Sequence, residues 1–142
     1  MRIMAVDYGD ARVGVAVSDI SRALTGDAWV LNVKDRADIA GAIVTEAAAR
    51  DVSVIVVGYP RNMDGTVGPR ALISEQFADR LRGKCATDDP GGIEVVLWDE
   101  RMTTVSAHRI LNDAGKFGKK RKKAVDAVAA SLILESYLQS LS

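Results

Sequence analysis

The run Ser53 to Gly58, SVIVVG, places apolar side chains on both faces of any strand it forms, and such a strand needs cover on both sides. It therefore reads as the central parallel strand of a sheet sandwiched between helices. The flanking segments agree. Upstream, Arg2 to Tyr8 (RIMAVDY), Val13 to Ser18 (VGVAVS) and Ala28 to Val33 (AWVLNV) read as three strands. Their short Gly-, Asp- and Ser-containing links have the spacing of an antiparallel meander. Asp35 opens a helix reaching about Arg50, with Ile39, Ala40, Ile43, Val44, Ala47 and Ala48 at the helical repeat. Downstream, Pro69 starts a helix to about Arg82 in which Ile73, Phe77 and Leu81 are spaced by four, and Lys84 to Gly92 reads as a polar link. Ile93 to Trp98 is a fifth strand. Thr103 or Thr104 caps a helix that Gly115 ends, and a last helix runs from about Ala124 to Ser140. This order predicts an α/β fold, a mixed five-stranded sheet with helices on its faces. One domain spans residues 1–142, because no repeat or linker divides the chain.

Composition narrows the function classes. With 48% hydrophobic and 27% charged residues, and only 12 Gly and 3 Pro, the disordered and fibrous classes are excluded. No stretch approaches the roughly 20 apolar residues of a membrane span, so neither signal peptide nor membrane partner is expected. The single cysteine, Cys85, reads as a small apolar filler, and a reducing cytoplasm is the expected location. The formal net charge of zero hides an asymmetry: Lys116, Lys119, Lys120, Arg121, Lys122 and Lys123 fall within eight positions, leaving 13 basic against 19 acidic residues elsewhere. This segment is either a solvated charge run or a mobile loop that closes over a phosphate backbone.

Nucleophilic hydrolysis finds no machinery, since the sole histidine, His108, sits in a predicted helix and no Ser or Cys carries an elbow motif. Gly9 to Gly14 (GDARVG) has P-loop glycine spacing, but Val15-Ala16 stands where Lys-Ser/Thr must be, which excludes a Walker ATPase. Gly9 and Gly14 instead permit tight backbone geometry.

Carboxylates are the remaining candidates. Asp7 ends an apolar strand, where an ionised group needs a cation or donors; it is either paired with Arg12 or functional. Asp99 and Glu100 end the fifth strand, and alternation puts them on opposite faces, so only one can converge with Asp7. Asp126 shares a helical face with Ala130, Ile133 and Tyr137; it either points at the sheet or complements the helix dipole beside Lys122 and Lys123. Three carboxylates meeting at one sheet edge make an all-oxygen nest for magnesium or manganese, the ions of phosphodiester hydrolysis.

These residues resemble a known family along the whole chain. Asp7-Tyr8-Gly9 with Arg12-Val13-Gly14-Val15-Ala16, Gly58-Tyr59-Pro60-Arg61-Asn62 with Gly65, Asp99-Glu100-Arg101-Met102-Thr103-Thr104, and Val125-Asp126 with Ala129-Ala130 and Ile133-Leu134 are similar to the motifs of the bacterial YqgF/RuvX family. That family comprises pre-16S ribosomal RNA nucleases and Holliday junction resolvase-like proteins of the ribonuclease H-like superfamily. The resemblance implies a ribonuclease H-like nuclease domain with Asp7, Glu100 and Asp126 as catalytic, metal-binding acids, and it selects Glu100 over Asp99. It also implies a substrate-facing loop in which Arg61 and Asn62 donate to phosphate, although Asn, Asp and Gly there equally make an ordinary solvated turn.

The expected function is a Mg2+- or Mn2+-dependent endonuclease on structured RNA, in 5′-end processing of pre-16S rRNA. Arg12, Arg61, Asn62, Lys119, Lys120, Lys122 and Lys123 are the candidate nucleic-acid contacts. The alternatives are a resolvase of branched DNA and a nucleic-acid-binding module without catalysis. A phosphotransferase of the sugar kinase and actin type needs two domains, and this chain supplies one. Either a monomer or a homodimer is compatible with the sequence.

Overall fold

The computed structural model describes residues 2–9, 11–19, 25–35, 38–62, 64–88, 92–99 and 118–141. Strands β1 (Arg2–Tyr8), β2 (Arg12–Ser18), β3 (Thr25–Asn32), β4 (Val52–Tyr59) and β5 (Glu94–Asp99) form one five-stranded sheet in the order β3-β2-β1-β4-β5. The first three make the antiparallel meander, and β4 pairs in parallel with both β1 and β5. Gly9 closes the β1–β2 link. Its N–H donates to the Arg12 carbonyl at 3.0 Å, and a Cβ at Gly9 would lie 2.7 Å from that same oxygen.

Helices α1 (Ile39–Ala49) and α2 (Pro69–Asp88) cover one face of the sheet, and α3 (Gly118–Ser140) covers the other. The first face buries Met4, Val6, Val13, Val15, Ile55 and Val57 under Ile43 and Ala47 of α1 and Phe77, Leu81 and Cys85 of α2. The second buries Ile3, Ala5, Ala16 and Val56 under Ala130, Ile133, Leu134 and Leu138 of α3. β4 supplies side chains to both cores, as its doubly apolar run requires.

Four boundaries differ from the expectations. A single 3-10 turn occupies Val33–Asp35, and α1 starts at Ile39 because Asp38 caps it, accepting the Gly41 N–H at 3.0 Å. Gly41 leaves room for that cap, since a Cβ there would meet Asp38 Oδ2 at 2.4 Å. Helix α2 runs past Arg82 to Asp88, because Cys85 extends the buried stripe of Phe77 and Leu81 by one more turn. Strand β3 begins at Thr25, where its ladder with β2 still continues to Ser18. The basic segment is corrected from a loop to a helix: α3 starts at Gly118, so Lys119, Lys120, Arg121, Lys122 and Lys123 are its first residues. Lysine and arginine are good helix formers, and extending the hydrogen-bonded ladder satisfies backbone groups that a loop would leave to water. The helix expected between Thr103 or Thr104 and Gly115, with His108, lies outside the described residues. Among the described residues, no helix is long and apolar enough to cross a membrane.

Candidate active site

Strands β1, β4 and β5 run in parallel, so their C-terminal ends open on one edge of the sheet. Asp7 sits there. It pairs across the ladder with Gly14 and follows Val6, which pairs with Val57; on β4 the next residue, Gly58, pairs with Trp98. By strand alternation Asp7 shares the α3 face with Ile3 and Ala5, which are fully buried, while Asp7 itself is half-buried. An ionisable group at the open end of an apolar face is a site candidate on physical grounds.

Helix α3 is held over that face by apolar packing and by Trp98 of β5. Its residues Ala130, Ile133 and Leu134 are buried against β1, β2 and β4, and Ser136 Oγ accepts a 3.0 Å hydrogen bond from the Trp98 indole. Tyr137 meets Trp98 edge-on at 5.4 Å. Asp126 lies in α3 one turn ahead of Ala130; its side chain, like the whole of Glu100, is outside the described residues. The structure thus packs the helix carrying Asp126 over the face of β1 to which Ile3 and Ala5 belong. Among the described residues no group of three or more His, Cys, Asp or Glu gathers, and Asp7 is the one acid of the expected triad whose side chain is described.

Asp99 belongs to the opposite face. It alternates with Val95 and Leu97, which pack with the α1 and α2 core, and its Oδ2 lies 3.9 Å from Arg61 Nη1. Arg61 also donates to the Gly65 carbonyl. Asn62 is tied within the same loop, its Nδ2 donating to Thr66 Oγ1 at 2.9 Å. Arg12 opens β2 opposite Asn32, at the same end of the sheet as Asp7. The four candidate lysines occupy the opening turns of α3, ahead of Asp126 in the chain.

Sequence reasoning missed the brace beneath Asp7. Tyr8 turns to the other face and stacks on Phe77 with ring centroids 4.2 Å apart. Arg80 lies 5.2 Å from the Phe77 centroid, and its Nη2 donates to the Tyr8 hydroxyl at 3.2 Å. The only sequence signal was the i, i+3 spacing of Phe77 and Arg80 on α2, too common to be informative. Nearby, the Tyr59 hydroxyl donates to Glu75 at 2.5 Å; that bond to a carboxylate, and then desolvation, raise its pKa above the ordinary value.

The crystal structure of the fowlpox virus Holliday junction resolvase matches with a TM-score of 0.60, covering 100% of both chains at 14% identity. The two chains therefore share the ribonuclease H-like fold. A protein of Ruminiclostridium cellulolyticum named "Putative pre-16S rRNA nuclease" is 40% identical over 100% of this chain and 96% of its own. One of the same name from Geobacillus kaustophilus is 42% identical over 99% of each. The family model described as "RuvX: Holliday junction resolvase" matches residues 1–140, and the chain belongs to that family of nucleases.

Proposed function

We propose that the chain is a divalent-metal-dependent endonuclease that cuts structured RNA in the 5′-end processing of pre-16S rRNA. One observation carries the reading: Asp7, a half-buried carboxylate, stands at the open end of the apolar face over which α3, the helix of Asp126, is packed. Its hard oxygen donors suit magnesium or manganese. In this reading Asp7, Glu100 and Asp126 hold the ion, which when bound supplies an activated water and neutralises charge at the leaving oxygen. Arg12 and the α3 lysines align the phosphate backbone across the sheet edge, a role that positions substrate without reading its bases. The names of the sequence relatives support ribosomal RNA as substrate, and a cytoplasmic location follows from that substrate.

The family's description supports a second reading, cleavage of four-way DNA junctions. Resolution requires two symmetric cuts and therefore a two-fold dimer, whereas RNA trimming does not. Incubating the protein and Mg2+ or Mn2+ with matched RNA and four-way DNA substrates, and measuring its mass in solution, separates the two. Cleavage of RNA alone by a monomer supports the first reading, and junction cleavage by a dimer supports the second. No cleavage of either, with binding intact, leaves the non-catalytic module.

A further inference from the structure

We propose that Arg61 is a positioning residue for cleavage, acting through Asp99 rather than on the substrate. Arg61 belongs to the Gly58 to Gly65 motif and Asp99 to the motif opened by β5, and their side chains meet at 3.9 Å on the face away from Asp7. The second arm of the guanidinium is fixed on the Gly65 carbonyl, and the Arg61 Nε is fully buried, with no hydrogen-bond partner among the described residues.

The loop that presents Arg61 is closed on itself. The Arg61 N–H donates to the Tyr59 carbonyl at 3.0 Å, Asn62 N–H to the Thr66 carbonyl at 2.9 Å, and Gly65 N–H to the Asn62 carbonyl at 2.8 Å. Gly65 has φ 88°, a conformation that a side chain would strain, and Asp64 Oδ1 accepts the Thr66 N–H at 3.0 Å. A guanidinium held from such a loop, with its Nε turned into protein, is poorly placed to swing towards a phosphate. It is well placed to hold the end of β5.

Asp99 is the last residue of β5, and the next residue in the chain is Glu100. The inference rests on the proposed function in this one respect, that Glu100 is a metal-binding acid. The direction in which the chain leaves β5 then sets where that acid falls relative to Asp7, and the Arg61 clamp restrains that direction. A half-exposed pair at 3.9 Å is a weak stabiliser, so its loss leaves the fold standing and shifts geometry instead.

The test compares wild type with Arg61→Ala, Arg61→Lys, Asp99→Asn and the double variant Arg61→Ala/Asp99→Asn. Three quantities are measured: kcat and KM on the RNA substrate, affinity for Mn2+ titrated without nucleic acid, and the salt dependence of RNA binding in chelator. Each single variant is expected to lose about tenfold in kcat with KM near wild type, and to bind Mn2+ several-fold more weakly. The double variant should be no worse than the poorer single variant. The salt slope should not change. Multiplicative losses in the double variant overturn the clamp. So does an unchanged kcat with a salt slope reduced by about 0.7 to 0.9, which would make Arg61 a phosphate contact. If Arg61→Ala fails to fold, Arg61→Lys and Asp99→Asn, which keep side-chain volume, decide the matter by the same criteria. Asp7→Asn is run alongside. Wild-type cleavage by Asp7→Asn would sink the metal-nuclease reading itself, whereas an inactive Asp7→Asn beside fully active Arg61 and Asp99 variants would sink only the positioning role.

Discussion

Asp7 and Asp99, carboxylates at the C-terminal ends of parallel strands β1 and β5, face opposite sides of the sheet. Asp7 lies with Ile3 and Ala5 under α3, and Asp99 with Val95 and Leu97 on the α2 side, beside Arg61. The two acids therefore do not share a face of the sheet. In the proposed nuclease Asp7→Asn should lower cleavage by more than about 100-fold. The melting temperature should hold or rise without metal, because a charge leaves an apolar face at nearly constant volume. Asp99→Asn should retain at least ten times the activity of Asp7→Asn. Turnover and thermal melts of both variants check this.

The basic opening of α3 predicts changes of opposite sign in stability and binding. No acidic residue lies in its first turn, and cations at a helix N-terminus oppose the macrodipole by about 0.3–1 kcal/mol each at low ionic strength. Replacing Lys119, Lys120, Lys122 and Lys123 with Ala should raise the melting temperature. It should also weaken binding of all nucleic-acid sequences alike, and lower the slope of log affinity against log salt by about 3 to 4 for duplex-like substrate. Affinity measured across a salt series, with a thermal melt of the same preparation, tests both halves. An unchanged slope would leave Arg12 as the candidate phosphate contact.

Phe77 joins the α2 core to the end of β1. It is fully buried and stacks on Tyr8, the residue after Asp7. Phe77→Ala should cost about 3–5 kcal/mol of stability, measured by denaturant titration. Arg80→Ala, which removes the hydrogen bond to the Tyr8 hydroxyl and the cation over the ring, should cost much less.

Asp38 predicts one component of the acid response. Its hydrogen bond with Lys84, whose Nζ lies 2.8 Å from Oδ2, and then the Gly41 N–H hold its pKa below the ordinary value in the folded chain. A carboxyl depressed by folding contributes stability above its unfolded pKa, and that contribution is lost as pH falls below about 4. Asp38→Asn should therefore lower the melting temperature at pH 7 and shrink the difference between pH 7 and pH 3. Melts of both proteins at the two pH values measure it; an equal acid response would show that the Lys84 contact contributes nothing in solution.

Much of this was legible before any coordinates. The doubly apolar run Val54 to Val57 announced a strand with cover on both faces, and the structure divides those residues between two cores. Alternation along IEVVLWD put Asp99 on the face of Leu97 and away from Trp98, because side chains in a strand must alternate whatever packs against them, and the structure has Leu97 against the α1 and α2 core and Trp98 against α3. The motifs around Asp7 pointed to the family that the comparisons then showed. What sequence alone determined is the local repeat: which segments pair or coil, and which residues share a face.

Tertiary packing decided the rest. The period of two along β5 says that Trp98 and Asp99 face apart, but which face receives α3 follows from Ile133 and Leu134 burying against Ile3 and Val56. The ends of α1 and α2 were settled by contacts between helices and sheet, through the Asp38 cap tied to Lys84 and the extra buried turn at Cys85. Arg61 reads in sequence either as a phosphate donor or as part of a solvated turn; only the return of the chain along β5 brings Asp99 to it. Periodicity is local and records no partner, whereas an ion pair or a buried stripe depends on where distant segments come to rest.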